Sequence, residues 1–173
     1  YFADGITEEI TSRLAAVSGL QVISRMSAMH YKDRSLPVKQ IGEELGVANI
    51  MEGAVQRSGD RVRINAQLID VATDQHLWAE TYDRKLSADN LFAIQSEISS
   101  EIARALETTL SPEEQQRINE RPTDNLAAYN AYLRGRQLLA RRTSESVDLA
   151  FEEFERATEL DPEFALAWVG ISE

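Results

Sequence analysis

Histidine is the side chain that most often transfers protons near neutral pH, and this chain contains two, His30 and His76. A catalytic histidine needs a nucleophile or an orienting carboxylate within hydrogen-bond reach. Neither histidine has such a residue at a recognisable spacing, and His76 stands next but one to Trp78 at the start of a predicted strand. Two histidines without a cysteine are a poor transition-metal site. We therefore expect structural roles for both, with no metal ion and no cofactor.

The carboxylate pairs and the glycines form no catalytic motif either. Adjacent residues of a helix point in different directions, so neighbouring glutamates indicate solvated faces. No glycine-rich segment is followed by Lys-Ser or Lys-Thr, which a phosphate-binding loop requires. Asp4 precedes a helical pattern and is interpreted as a helix cap. The sequence thus predicts no catalytic residues, and the carboxylate pairs are Glu43–Glu44, Glu113–Glu114 and Glu152–Glu153.

The composition favours a soluble globular protein of one medium or two small domains. The chain has 173 residues, a net charge of −11 and no cysteine. The acidic balance argues against binding nucleic acid or anionic lipid, and the arginines near residue 60 are interpreted as solvated charges. The absence of cysteine fits the cytoplasm or the periplasm, and both locations stay open. No apolar run approaches the length of a membrane span, so we predict no membrane insertion.

The apolar periodicity changes twice along the chain. Helical spacing in the first 46 residues predicts two helices with a short buried strand, residues 20–24, between them. Residues 47–84 alternate or carry turn signals and predict an antiparallel three-stranded meander. From residue 90 to 110 a helical stripe returns, and helices are predicted again over 125–141, 145–160 and from 163 onward. The fold class is therefore α+β, a mainly antiparallel sheet with helices packed on one face, followed by an α-helical hairpin.

Residues 1–110 resemble the amino-terminal domain of the TolB-like family. The matching segments are YFADGITEEI (1–10), IGEELGV (41–47), MEGAV (51–55), RVRINAQLID (61–70) and HLWAETYDR (76–84). The family has an apolar strand ahead of the position of Tyr1, which this chain lacks. The resemblance therefore implies an open sheet edge that could pair with a second copy or with a partner's strand.

Residues 126–173 resemble the start of a tetratricopeptide (TPR) array, and the array is expected to be truncated. Ala150, Phe154, Ala157 and Pro162 stand at the spacing of the second helix and closing proline of that motif. Trp168 follows at the large aromatic position of the next repeat. About three extra residues separate the helices of the first repeat, which departs from the pattern. The predicted domains are 1–110, a linker at 111–124, and 125–173.

Together the two resemblances are typical of the regulatory region of bacterial class III adenylate cyclase-like proteins. In those relatives the catalytic domain lies upstream, and the metal-binding Asp pair with its Arg and Asn is not recognisable here. The resemblance thus implies a non-catalytic regulatory, sensing or protein-interaction module. The alternatives are the sensor region of a transcriptional regulator or an envelope adaptor, while a catalytic cyclase domain is the least favoured interpretation.

TPR helices line a groove that takes a peptide or a partner helix. By family register, one face of the first helix would bind a protein or peptide partner or an upstream catalytic or DNA-binding domain of the same chain. Arg136 stands out because a guanidinium can hold a carboxylate with two hydrogen bonds. The alternative is that the two tyrosines pack against the preceding domain. The candidate partner-binding residues are Tyr129, Tyr132, Arg136 and Leu139.

Overall fold

The computed structural model describes residues 2–32 and 34–172 and has the α+β architecture expected from the sequence. A three-stranded antiparallel sheet, in the order β1-β2-β3, is combined with helices that dominate the C-terminal end. None of the described helices combines the length and the apolar character needed to cross a bilayer. The elements are α1 (Phe2–Ala15), α2 (Arg25–Met29), α3 (Val38–Leu45), β1 (Asn49–Ser58), β2 (Arg61–Asp70), β3 (Gln75–Lys85), α4 (Ala88–Ala105), α5 (Pro112–Ile118), α6 (Leu126–Leu139), α7 (Ser144–Leu160) and α8 (Ala165–Ser172).

The chain divides into two compact units. The sheet unit comprises residues 8–86 and 93–119, and the helical unit comprises the described residues of 1–7, 87–92 and 120–173. The predicted linker 111–124 contains helix α5, which a capping box between Ser111 and Glu114 begins. The helical unit also includes the first turns of α1 and α4. No local sequence pattern predicts that these turns belong to it.

Buried and exposed side chains alternate along β2, as the sequence predicts. Val62 and Ile64 are buried, while Arg61 and Arg63 point to the opposite, solvent-facing side. Arg84 of β3 stands opposite Val62 and binds Glu97 of α4 at 2.7 and 2.9 Å. Helix α4 therefore covers the apolar face, and the other face of the sheet stays open. The same register pairs residue 61 of β2 with residue 58 of β1 and residue 85 of β3.

Two features of the sheet unit correct the sequence prediction. Residues 20–24 form no strand: they have no regular secondary structure, their side chains are half-buried or exposed, and Val22 is 38% exposed. A strand needs a partner ladder, and neither edge of the sheet pairs with this segment. Helix α4 also ends at Ala105, although the apolar period runs to Leu110. Glu107 takes a left-handed conformation (φ 54°), and the amide of Thr108 donates to the carbonyl of Ala103, which closes the helix.

The helices of the helical unit pack closely because glycines lie against large apolar side chains. A Cβ on Gly135 would lie 2.5 Å from the Phe154 ring, and one on Gly170 would lie 2.8 Å from the same ring. A Cβ on Gly5 would meet Leu133 at 2.5 Å. The buried stripe of α7 contains Phe154 with two alanines, Ala150 and Ala157. An alanine at residue 135 or 170 would therefore press on the Phe154 ring, whereas the contact at residue 5 is with the flexible end of Leu133.

Candidate functional site

The two candidate tyrosines of α6 are core residues of the helical unit. Tyr129 is fully buried, and its ring meets Phe92 edge-on at 4.8 Å between centroids. Tyr132 is 7% exposed, and its ring lies 5.2 Å from Phe164 and 5.9 Å from Phe154. A partner docked on this unit would therefore find the tyrosine rings already covered. Phe92 belongs to residues 1–110, the region against which the alternative interpretation packs the tyrosines, and a partner-binding role for Tyr129 and Tyr132 stays a prediction.

Arg136 and Leu139 remain the accessible part of the predicted set, and both are half-buried. Nη1 of Arg136 donates a hydrogen bond of 3.1 Å to the Tyr132 hydroxyl, and its guanidinium carbon lies 6.0 Å from the centroid of that ring. The buried tyrosine thus orients the guanidinium, since one hydrogen bond and a cation–π contact act on it together. The assignment of Arg136 and Leu139 to a partner stays a prediction.

The polar residues considered for catalysis are dispersed. His30 caps the end of α2 and lies edge-on to Tyr31 at 5.3 Å, while His76 is exposed on β3. Asp4 does not cap α1 but lies inside its first turn. At this position its negative charge interacts favourably with the helix dipole. Within residues 2–32 and 34–172, no group of three or more His, Asp or Glu side chains is placed to hold a metal ion.

A cluster that sequence reasoning missed lies on the open face of the sheet, where Asp83 of β3 receives two arginines of β2. Arg61 donates from Nε and Nη2 to Oδ1 at 2.9 and 2.6 Å, and Arg63 donates from the same two atoms to Oδ2 at 3.1 and 2.7 Å. The hydrogen bonds from Arg63 and Arg61 hold the pKa of Asp83 below its usual range. The carboxylate therefore stays ionised and fixes two guanidiniums side by side, with a net charge of +1.

Sequence comparison connects the chain with a longer protein. No family model matches the chain. A protein of Rhizobium meliloti (strain 1021) named "Putative adenylate cyclase 3" is 41% identical over 172 residues, which is 99% of this chain. The aligned region is 29% of the length of that relative. The chain is therefore similar, over nearly its whole length, to one segment of a larger protein that carries the name of an adenylate cyclase.

Proposed function

We propose that this chain is a non-catalytic regulatory and protein-interaction region of a larger bacterial signalling protein of the adenylate cyclase-like kind. The observation that carries this proposal is the match of 172 residues to only 29% of a protein with that name. Most of the relative lies outside the match and has room for a separate output domain. The identity does not fix a role, since a shared fold hosts many functions.

Four carboxylates accept hydrogen bonds from identified partners within the fold. Glu114 caps α5, Asp70 accepts from Thr73 in the turn after β2, and Asp83 holds two arginines. Asp161, which follows α7, accepts a hydrogen bond from the Thr123 hydroxyl. These four carboxylates are held by partners within the fold, and their roles are therefore structural.

The helical unit is proposed to begin a TPR-type array, and the sheet unit is proposed to be TolB-like. Ala150, Phe154 and Ala157 face the interior at the positions that the repeat reserves for packing, and Pro162 follows the end of α7. Gly135 meets Phe154 at the crossing of α6 and α7. This arrangement supports the register on which the resemblance was based.

The accessible end of α6 is proposed to bind an acidic protein or peptide segment. Arg136 is already oriented by Tyr132, and a carboxylate brought to it would form charge-assisted hydrogen bonds. Leu139 is one turn further along the same helix and would add an apolar contact. The partner is either a separate protein or another domain of the same polypeptide.

The test compares the isolated chain with the full-length protein. We expect the purified 173-residue chain to form no cyclic AMP from ATP with Mg²⁺ or Mn²⁺, and the full-length protein to form it. We expect Arg136→Ala in the full-length protein to change the rate of cyclic AMP formation or the capture of a partner. Arg104→Ala is the matched control, because that side chain is 76% exposed on α4. Turnover of ATP by the isolated chain would refute the non-catalytic assignment.

A further inference from the structure

An open groove of about 620 Å³ crosses the uncovered face of the sheet. Its walls are two rows of side chains, one formed by Glu52, Gln67 and Ala79 and the other by Ala54, Asn65 and Thr81. Residues of a row are cross-strand neighbours and project to the same side. Two of these positions are alanines, which leave the space that longer side chains would fill, and the volume of the groove lies in the range of small-molecule sites.

One end of the groove adjoins the two arginines on Asp83. Arg63 lies two residues before Asn65 on β2, so the two side chains share a face and their Cα atoms are about 6.6–6.8 Å apart. Asp83 occupies the Nε and Nη2 donors of both guanidiniums and holds them together before any ligand arrives. Both arginine side chains are more than half exposed. Such preorganisation lowers the entropy cost of binding an anion.

The other end of the groove is acidic. Glu52 accepts a hydrogen bond of 3.0 Å from the amide of Gln67, its cross-strand neighbour on the open face. Between the two ends stand the exposed amide of Asn65 and the exposed hydroxyl of Thr81. The groove is therefore polarised along β2, with cationic groups at Arg63 and a carboxylate acceptor at Glu52. It is complementary to a ligand that is anionic at one end and carries hydrogen-bond donors at the other.

We propose that this groove binds a nucleoside monophosphate. The phosphate ester would lie on the Nη1 groups of Arg61 and Arg63, because Asp83 holds the Nε and Nη2 donors and the cluster keeps a net charge of +1. The sugar hydroxyls would reach Asn65 and Thr81, and an amino-bearing base would donate to Glu52. A carboxylate ligand of the same length would offer less charge to the arginine pair. The site lies in the sheet unit and Arg136 lies in the helical unit. A test of nucleotide binding in the groove is therefore independent of a test of partner binding at Arg136.

Adenosine 5′-monophosphate is the probe, titrated into the 173-residue chain by calorimetry and by two-dimensional NMR. Saturable binding is expected, with the largest shifts at the backbone amides of Asn65, Gln67 and Thr81. Arg63→Gln is expected to weaken binding about tenfold, the loss of one charge-assisted contact. Asn65→Asp, which places a negative charge beside the phosphate, is expected to weaken it further. Arg104→Gln, on the exposed surface of α4, should bind as the wild type does.

Two comparison ligands separate the parts of the proposal. Adenosine, which lacks the phosphate, and inorganic phosphate, which lacks the nucleoside, are both expected to bind at least tenfold more weakly than the monophosphate. Equal binding of adenosine would refute the role of the arginine pair, and equal binding of inorganic phosphate would refute the role of the groove. Unchanged affinity in Arg63→Gln, with circular dichroism showing a folded variant, would refute the site as a whole.

Discussion

The carboxylate of Glu114 accepts the backbone amide of Ser18 at 2.7 Å and thereby ties the loop after α1 to the first turn of α5. The same side chain accepts the amide of Ser111 at 2.8 Å and completes the capping box of α5. The hydrogen bond from the Ser18 amide, with that from the Ser111 amide, lowers the pKa of Glu114 to about 2. One buried carboxylate thus connects two segments that are distant in sequence.

Glu114→Gln is expected to lower the stability of the chain at neutral pH, because a neutral amide oxygen is a weaker acceptor for two backbone donors. The lowered pKa means that the carboxylate contributes its full stabilisation above about pH 4.5. That contribution is lost as the pH falls towards 2. Urea unfolding at pH 7 and pH 3 should therefore show a difference between wild type and variant that shrinks at the lower pH. An equal difference at both values would contradict the assignment.

Phe154→Ala is expected to destabilise the helical unit by about 3–5 kcal/mol, the usual cost of removing a buried aromatic ring. Its ring is 1% exposed and meets Tyr132 and the two glycines of the neighbouring helices. Phe151→Ala is the matched control, since it changes the same residue type on the same helix at a position that is 43% exposed. Urea unfolding monitored by circular dichroism should find the control within about 1 kcal/mol of wild type.

Period-two alternation made the sheet predictable from the sequence. The side chains of a strand point to opposite faces in turn, so the pattern RVRINAQL identifies the buried and the open side without tertiary information. Helix α7 was predictable for a similar reason, because Ala150, Phe154 and Ala157 recur at helical spacing on one face. Local geometry decides these features, and local sequence therefore reveals them.

Contacts between residues that are distant in the sequence could not be predicted from local patterns. Residues 20–24 carry a strand-like composition, but the sheet provides no ladder for them. Tyr129 meets Phe92, 37 positions earlier, and no periodicity indicates that contact. The sequence indicates solvated charge for Arg61 and Arg63 because Asp83, their partner, stands 22 and 20 positions later. Only the register between β2 and β3 brings these groups together.

Arg13→Met is expected to destabilise the sheet unit by about 1.5–3 kcal/mol, the usual contribution of hydrogen bonds to a charged group. Arg13 is 6% exposed, donates to Ser96 Oγ at 3.0 Å and to the carbonyl of Ile118, and forms an ion pair with Glu9. Methionine keeps the apolar stem but leaves these acceptors without their charged donor. Arg104→Met, on an exposed position, should change the free energy of unfolding by less than about 0.5 kcal/mol.

Gly135→Ala is expected to destabilise the helical unit although alanine is the better helix former by about 1 kcal/mol. The added Cβ would lie 2.5 Å from Cε1 of Phe154, and the overpacking that results costs about 1–3 kcal/mol. Shortening the opposing side chain should relieve the clash. The double variant with Phe154→Leu is therefore expected to lose less stability than the sum of the two single changes. Urea unfolding of all four proteins measures this coupling, and simple additivity would show that the glycine is not required by the Phe154 ring.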